Sequence, residues 1–283
     1  MIEFTKMQGL GNDFICMRYN ENIRYNLKIF SKFLCDRHYG IGADGLIFIG
    51  KSKNADISMR IFNSDGSEAE MCGNGIRCIA KYAYDKKIIE KNPIFIETLS
   101  GIKKIEYILE NGKVMEIKVN MGKPILNHKK IPIYLPYSAN TNNERVIKVL
   151  FNIKGKEYIG SCLSMGNPHT VIEVKSLKDI DINKLGKIIE SYKYFPSKTN
   201  VEFIEIINDE TIKMKVFERG VGQTLSCGTG ACASAYACFK NNKVKNKIKV
   251  ELDGGILNIE IDNENNIYLI GDAVKVYEGV IDF

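Results

Sequence analysis

Apolar and polar residues alternate over many short stretches of this chain, whereas helical spacing appears in only a few places. Residues 26–36 carry Leu27, Phe30, Phe33 and Leu34 three or four positions apart, which predicts an amphipathic helix. Further helices are predicted at 78–84, after a glycine-rich start, and at 180–191 and 228–240. Alternation predicts strands at 2–7, 14–19, 46–50, 57–62, 157–163, 201–207, 212–218, 246–251, 255–261 and 266–270, and strands dominate 94–135.

Two segments of the chain repeat each other at an offset of 155 residues. Met59-Arg60-Ile61-Phe62-Asn63 leads to Cys72-Gly73-Asn74-Gly75, and Met214-Lys215-Val216-Phe217-Glu218 leads to Cys227-Gly228-Thr229-Gly230. The turns Gly11-Asn12 and Gly166-Asn167 keep the same offset. This pattern predicts a duplicated domain. Because the last segment is one strand more than the repeat requires, we expect it to return to the first half. The expected halves are 1–122 plus 273–283, and 123–272.

Composition narrows the class of protein. The 283 residues are 45% hydrophobic, which is typical of a globular protein with ample core. No apolar run approaches the roughly 20 residues of a membrane-spanning helix, and the N-terminus reads as a strand instead of a signal peptide. The net charge of +6 comes from scattered lysines, and no aromatic residues interleave with the densest basic stretch, Lys240 to Lys249. We therefore expect a cytoplasmic protein with no membrane or nucleic-acid partner.

The cysteines are expected to be reduced thiols, because a cytoplasmic protein seldom keeps disulfides. The eight cysteines are Cys16, Cys35, Cys72, Cys78, Cys162, Cys227, Cys232 and Cys238. Their spacings do not give the two close ligand pairs of a structural zinc site, so no metal is expected. Only Cys72 and Cys227 match each other in the repeat.

Each matched cysteine stands at a predicted helix start and is followed by two glycines. Unpaired N–H groups and the positive end of the helix dipole gather there; they lower a thiol pKa from about 8.5 and form a seat for a carboxylate. One thiolate would remove the α-proton of a bound amino acid, and the other thiol would return a proton to the opposite face. A single such cysteine would be read as a buried helix cap, but two copies in register favour catalysis.

Other polar residues keep the same register. Asn63 and Glu218 are equivalent, each nine residues before its cysteine, and Arg219 after Glu218 is suited to hold a second carboxylate. Asn12 and Asn167 lie in the matched turns, and His169 follows two residues after Asn167. We expect these residues to surround the two thiols.

The chain resembles the diaminopimelate epimerase family in blocks that span nearly its whole length. These blocks are Lys6-Met7-Gln8-Gly9-Leu10-Gly11-Asn12-Asp13-Phe14, Asp36-Arg37-His38-Tyr39-Gly40-Ile41-Gly42-Ala43-Asp44-Gly45, Phe62-Asn63-Ser64-Asp65-Gly66-Ser67-Glu68, Cys72-Gly73-Asn74-Gly75-Ile76-Arg77-Cys78, Met165-Gly166-Asn167-Pro168-His169, Asn200-Val201-Glu202-Phe203, Glu218-Arg219-Gly220 and Cys227-Gly228-Thr229-Gly230-Ala231-Cys232. Together they are far more specific than the two Cys-Gly-x-Gly turns alone.

The resemblance implies an α+β fold of two pseudo-symmetric domains, each a strongly curved, mostly antiparallel sheet or barrel around a central helix, with the active site between them. It implies a cofactor-independent homodimer that interconverts LL- and meso-2,6-diaminopimelate for lysine and peptidoglycan synthesis. Cys72 and Cys227 would be the acid–base pair, tuned by His169 and Glu218. The substrate would be held by Asn12, Asn63, Asn167, Asn200, Glu218 and Arg219, and by the amides of Gly73, Asn74, Gly228 and Thr229.

Two departures and two alternatives stay open at this point. Some family members carry a substrate-contacting Gln where this chain has Gly45, and Gln223 replaces a frequent acidic residue. A proline or hydroxyproline racemase would share the two-thiol chemistry, although Arg219 favours a longer substrate with two charged ends. A redox sensor would use the thiols without turnover. A phenazine-type isomerase would share the fold but should lack both cysteines, so the presence of Cys72 and Cys227 argues against that third reading.

Overall fold

The computed structural model describes residues 1–19, 26–135 and 146–282 of the chain. It divides into two compact units, Met1–Asn120 with Ile270–Phe283 and Met121–Leu269. The boundaries expected from the sequence lay at 122/123 and 272/273. In the parts of the chain that the structure describes, no helix has both the length and the apolar character needed to cross a membrane.

In the residues that the structure describes, the first unit is a largely antiparallel sheet with two helices. Its elements are β1 (Ile2–Gly9), β2 (Asn12–Arg18), α1 (Leu27–Cys35), β3 (Gly45–Gly50), β4 (Ile57–Asn63), β5 (Glu68–Ala69), α2 (Gly73–Asp85), β6 (Ile94–Thr98), β7 (Gly101–Glu110), β8 (Lys113–Gly122) and β18 (Val274–Ile281). The strand order is β18-β1-β2-β3-β4-β6-β7-β8, in which β2–β3 and β4–β6 are the parallel pairs. The final strand therefore pairs with β1, at the edge of the unit in which the chain begins.

The second unit repeats this plan. Its elements are β9 (Ile147–Ile153), β10 (Lys156–Ser164), β11 (Pro168–Glu173), a short 3-10 helix (Leu177–Asp179), α3 (Ile182–Glu190), β12 (Asn200–Asn208), β13 (Thr211–Glu218), β14 (Gly222–Thr224), α4 (Gly228–Lys240), β15 (Lys247–Leu252), β16 (Gly255–Ile261) and β17 (Ile267–Gly271). The order β9-β10-β11-β12-β13-β15-β16 again has two parallel pairs, β11–β12 and β13–β15.

The repeat extends to the register of the strands. Phe14 lies opposite Gly45 in the first unit, and His169 lies opposite Asn200 in the second. Each residue of the second pair lies 155 positions after its counterpart in the first pair. The short strands β5 and β14 pair with β4 and β13 in the same equivalent register. The α+β fold of two pseudo-symmetric units, expected from the sequence, is therefore confirmed.

A central helix in each unit is enclosed by the sheet. Helix α2 packs against β1 to β4, and α4 packs against β10 to β13, β15 and β16. The small and apolar residues of α4 run around the whole helix, as is usual for a helix buried on every side. Each central helix begins directly after one of the two matched cysteines, so the fold places both thiols at the N-terminus of a buried helix.

Several sequence expectations differ from the structure. The segment 123–135 forms turns, with one isolated bridge at Ile125, because Pro124 cannot donate to a ladder and Asn127 accepts turn hydrogen bonds. Helix α2 is longer than predicted, since its glycines are already helical. Strands β9 and β11 had not been predicted, and β5 and β14 are too short for a periodicity to show.

Candidate active site

Cys72 and Cys227 are the N-cap residues of the two central helices. Both have extended backbone, with φ and ψ of −138° and 125° for Cys72 and −135° and 111° for Cys227. Each sulfur accepts a hydrogen bond from the third residue of its helix, Gly75 N at 3.5 Å and Gly230 N at 3.4 Å. An N-cap side chain normally accepts such a bond through oxygen, and the positive end of the helix favours a negative charge at this place. The helix N-terminus by itself therefore favours the thiolate form of each cysteine, and the other groups around each sulfur add to this effect or oppose it.

The turn around Cys72 is organised by two asparagines. The Cys72 thiol donates to Asn12 Oδ1 at 3.7 Å, and Asn74 Nδ2 donates to the same oxygen at 3.3 Å. Asn12 Nδ2 in turn donates to Asp44 Oδ2 at 2.8 Å. The amides of Gly73 and Asn74 belong to the first turn of α2, where helix N–H groups lack intrahelical partners.

A buried cation supports the same turn from inside the helix. Arg77 is fully buried and donates to Gly73 O at 2.9 Å, to Asn74 Oδ1 at 3.0 Å and to Asp272 O at 2.9 Å. Its contact with Asn74 Oδ1 turns the Asn74 amide nitrogen toward Asn12. The sequence analysis quoted Arg77 within a motif and gave it no role. An arginine inside a helix that was expected to be buried could have indicated a structural role for Arg77.

The turn around Cys227 is also organised by an asparagine, but a threonine takes the place of the second asparagine. Thr229 Oγ1 lies 3.4 Å from Cys227 Sγ, and Asn167 Nδ2 donates to Thr229 Oγ1 at 3.4 Å. Asn167 and Thr229 are the repeat counterparts of Asn12 and Asn74. The structure thus brings one predicted asparagine beside each thiol.

His169 lies behind Asn167 and is itself held by a carboxylate. Its Nε2 is 3.0 Å from Asn167 Oδ1, and its Nδ1 is 2.7 Å from Glu202 Oε1. Both His169 and Glu202 are completely buried. These contacts link His169 to Cys227 through Asn167 and Thr229. Glu202 was missed by the sequence analysis, although a glutamate inside the buried run of β12 was a visible signal.

Carboxylates and burial act together on Cys227. Burial raises the pKa of Cys227 well above its usual range, and the charges of Glu218 and Glu202 raise it further, against hydrogen bonds from Thr229 and Gly230. Burial likewise raises the pKa of Glu218, against a hydrogen bond from Thr224 Oγ1 to Glu218 Oε1 at 2.5 Å. Burial and the two carboxylates together therefore favour the thiol form of Cys227 over the thiolate.

Asn200 and Arg219 form a second polar group in the same unit. Asn200 is buried; its Nδ2 donates to Pro168 O at 2.8 Å, and its Oδ1 accepts from Arg219 N at 3.0 Å. The exposed Arg219 side chain donates to Ser197 O at 3.2 Å. Asn200 thereby ties the loop that carries Glu218 and Arg219 to the end of the turn that carries Asn167.

Asn63 and Gly45 are opposite each other on β4 and β3. Asn63 is exposed, and its Nδ2 donates to Ser67 Oγ at 2.9 Å. A β-carbon on Gly45 would lie 2.9 Å from Phe62 O and 3.3 Å from the Phe14 ring. Position 45 of this chain therefore has no room for the side chain that some relatives carry there.

The remaining six cysteines are all buried. Burial raises the pKa of Cys78, Cys162 and Cys238 to about 12 in each case. Among the described residues, no three His, Cys, Asp or Glu side chains are grouped so that they could hold a metal ion. A cavity of about 710 Å³ lies elsewhere in the second unit, and none of the predicted site residues lines it.

Comparison with known proteins identifies the family of this chain. The family model of diaminopimelate epimerase matches residues 4–127 and 161–276. A diaminopimelate epimerase of Methanococcus maripaludis (strain C5) is 48% identical over 99% of this chain and 100% of its own length. A diaminopimelate epimerase of Acetivibrio thermocellus is 47% identical over 99% of both chains.

Solved structures of lower sequence identity show the same fold. A probable proline racemase from Agrobacterium radiobacter K84 gives a TM-score of 0.71 at 12% identity and covers 100% of this chain and 93% of its own. A phenazine biosynthesis protein of the PhzF family from Bacillus anthracis gives 0.68 at 18% identity, over 100% and 99%. These two likenesses concern the fold alone, whereas the family model and the closely similar full-length relatives carry the assignment. The chain belongs to the diaminopimelate epimerase family.

Proposed function

We propose that this protein interconverts LL-2,6-diaminopimelate and meso-2,6-diaminopimelate by a two-base mechanism without a cofactor. The observation that carries the proposal is the matched pair of cysteines, each capping a buried helix and each joined to an asparagine 60 residues earlier in the chain. Membership of the epimerase family supports the same reaction and substrate.

The reaction moves one proton at a time. One thiolate takes the α-proton, so the C–H bond breaks and its electron pair remains on the α-carbon. The opposite thiol then gives its proton to the other face, so a new C–H bond forms with inverted configuration and the thiolate and thiol have exchanged places. Amides of Gly73, Asn74, Gly228 and Thr229 stabilise the negative charge that spreads onto the reacting carboxylate.

The remaining polar residues bind the substrate. A substrate with a second amino acid group at its far end needs a cation for the carboxylate and acceptors for the ammonium. Arg219 supplies the cation, and Glu218 supplies a charged acceptor beside it. Asn12, Asn63, Asn167 and Asn200 supply amide donors and acceptors. Proline has no second charged end, so this set favours diaminopimelate over the racemase alternative.

Two further features belong to the proposal. The thiols must stay reduced to exchange protons, which favours a cytoplasmic enzyme in lysine and peptidoglycan precursor synthesis. The family resemblance favours a homodimer. Sedimentation of the purified protein at micromolar concentration would contradict the homodimer if it gave the mass of one chain, 32.0 kDa.

Solvent deuterium provides the test of the reaction. LL-diaminopimelate is incubated with the protein in heavy water, and α-deuterium is measured by mass spectrometry beside a parallel sample of L-proline. We expect deuterium in diaminopimelate together with the meso isomer, and none in proline. Deuterium in proline alone would assign the protein to the racemases. No exchange in either substrate would contradict both enzyme assignments and leave the sensor alternative.

A further inference from the structure

Glu202 is a buried carboxylate in the sheet of the second unit. One oxygen, Oε1, is 2.7 Å from His169 Nδ1, while Oε2 has no hydrogen-bond partner among the residues that the structure describes. Burying a carboxylate with one oxygen unpaired is unfavourable, and native proteins rarely keep such a group without a reason. The surroundings of Glu202 indicate what that reason is.

The carboxylate is close to the capping thiol. A β-carbon on Gly230 would be 2.8 Å from Glu202 Oε1 and 3.3 Å from Cys227 Sγ. The carboxylate oxygen and the sulfur therefore approach the same glycine at the start of α4. The two atoms are therefore at most about 6 Å apart, close enough for the negative charge of Glu202 to act on Cys227.

The contact to His169 begins a chain of hydrogen bonds to the same thiol. A carboxylate can only accept, so the contact with Glu202 requires a hydrogen on Nδ1 of His169. Asn167 Oδ1 can also only accept, so the contact of 3.0 Å with Nε2 is a hydrogen bond when Nε2 carries a hydrogen as well. Asn167 Nδ2 in turn points to Thr229 beside Cys227. A carboxylate behind a histidine in this way sets the orientation of the ring and of whatever the ring contacts.

The first unit lacks these groups at the equivalent positions. The counterparts of His169 and Glu202 are Phe14 and Ile47, and both are buried apolar residues. Ile47 Cδ1 lies 3.1 Å from the β-carbon position of Gly75, which is where Glu202 Oε1 lies in the second unit. The fold can therefore fill this place with a hydrocarbon, and the carboxylate is not required for packing.

We propose that Glu202 is a positioning residue for the epimerisation: it holds His169 in one orientation and keeps a negative charge beside Cys227, which favours the thiol over the thiolate. This inference rests on the proposed function. The other titratable groups around Glu202 and Cys227 are Cys162 on β10, His169 on β11 and Glu218 on β13. Of these, Glu218 also acts on Cys227, so the contribution of Glu202 has to be measured with Glu218 intact.

Two variants separate charge from geometry. Glu202→Gln keeps the size of the side chain and removes its charge, whereas Glu202→Asp keeps the charge and shortens the reach to His169. Glu205→Gln is the matched control, because Glu205 lies on the same strand and its carboxylate accepts from Leu177 N at 3.0 Å. The measurement is the pH dependence of kcat/KM in both directions of epimerisation, with kcat and KM at the optimum.

The two variants have different expected results. In Glu202→Gln the pKa of Cys227 falls, so the limb of the profile that reports this thiol moves to lower pH by about one unit, a factor of ten in proton affinity. This limb is the basic one when Cys227 acts as acid and the acidic one when it acts as base. Glu202→Asp keeps both limbs in place and lowers kcat by about 10²-fold, because the His169 contact is lost. Glu205→Gln behaves as the wild type.

Profiles of Glu202→Gln that coincide with the wild type would overturn the role of the charge. A wild-type kcat in Glu202→Asp would overturn the role of the contact with His169. If the Glu202→Gln protein does not fold, the kcat of Glu202→Asp still tests the proposal. Absence of turnover in the wild type would instead contradict the proposed function.

Discussion

Ile47 and Glu202 fill the same place in the two units. Each lies on the strand that pairs in parallel with the strand after the matched asparagine turn, and each approaches the second glycine of a Cys-Gly-x-Gly turn. In the first unit the contact is a methyl group packed beside Gly75, and in the second it is a carboxylate oxygen beside Gly230. The duplicated scaffold thus keeps its capping thiols while their surroundings differ in charge, as two thiols with opposite protonation states require.

Alanine at the two glycines should expose this difference. At Gly75 the new methyl meets the Cδ1 atoms of Ile47 and Ile61 at 3.1 Å, which can move by small side-chain rotations. The gain in helix propensity, about 1 kcal/mol, offsets much of this crowding. At Gly230 it meets Glu202 Oε1 at 2.8 Å, and that oxygen is held by His169.

We therefore expect Gly75→Ala to change the free energy of unfolding by about 1 kcal/mol or less, and Gly230→Ala to lower it by about 2 kcal/mol. The rate of epimerisation should fall much further in Gly230→Ala. Urea unfolding and steady-state kinetics on both variants provide the measurement, each variant serving as the control for the other. Equal losses of stability and of epimerisation rate in the two variants would contradict the inferred difference between the surroundings of Gly75 and those of Gly230.

Sequence periodicity located some elements well and others poorly. The predicted helix 228–240 has the bounds of α4, because its small and apolar residues lie between a capping cysteine and a polar turn. Strand β11 was read as a turn alone, because it begins with Pro168 and His169 directly after the Gly166-Asn167 turn, although it is buried between β10 and β12. The role of Glu202 could not be predicted, because it depends on the parallel pairing of β11 with β12. That pairing is a contact between distant segments, on which local periodicity carries no information.

The two capping cysteines should be essential and should not be equivalent to other cysteines. We expect Cys72→Ala and Cys227→Ala to abolish epimerisation, and the Cys→Ser variants to lose about 10²- to 10⁴-fold, because a positioned acid or base is worth that much. Cys238→Ala is the control, since Cys238 is buried near the end of α4, away from both caps. Circular dichroism should show all variants folded, and full turnover in either Cys72 or Cys227 variant would contradict the two-base mechanism.

Asp13 should make stability depend on pH. Burial acts to raise its pKa, but hydrogen bonds from Arg37 and Lys6 outweigh burial and hold the pKa of Asp13 well below its usual range. A carboxyl whose folded pKa is lowered stabilises the fold above the unfolded pKa of about 4 and loses this contribution as the pH falls below it. Asp13→Asn should therefore lower the free energy of unfolding by about 2 kcal/mol at pH 7, since it leaves the buried Lys6 ammonium without its charge partner.

The measurement for Asp13 is urea unfolding of the wild type and of Asp13→Asn between pH 7 and pH 3. The difference between the two proteins should be constant down to about pH 4 and shrink below it. Asp56→Asn is a useful comparison, because Asp56 pairs with the exposed Lys91 and should contribute less. A difference that grows toward acid would show that Asp13 is not held as a carboxylate.

Gly45 should reject the glutamine that some relatives carry at this position. In β3 it lies between Phe14 on β2 and Asn63 on β4, and an added β-carbon would be 2.9 Å from Phe62 O. That oxygen belongs to the backbone of a neighbouring strand and cannot rotate away. Gly45→Gln should therefore lower the free energy of unfolding by about 1–3 kcal/mol and give no gain in substrate affinity.

Gly50→Gln, at the other end of the same strand, is the matched control. Its β-carbon would meet Ser58 Oγ at 2.9 Å, and a hydroxyl can rotate, so the loss should be smaller. Thermal unfolding of the two variants and their KM for diaminopimelate test whether position 45 can accept a glutamine side chain. A stable Gly45→Gln protein with a lower KM would show that β3 shifts to accept the side chain, and that this family contact can be restored by one substitution. Because the backbone of Phe62 leaves no room for a glutamine at position 45, we expect the protein to bind its substrate without a side-chain contact from this position.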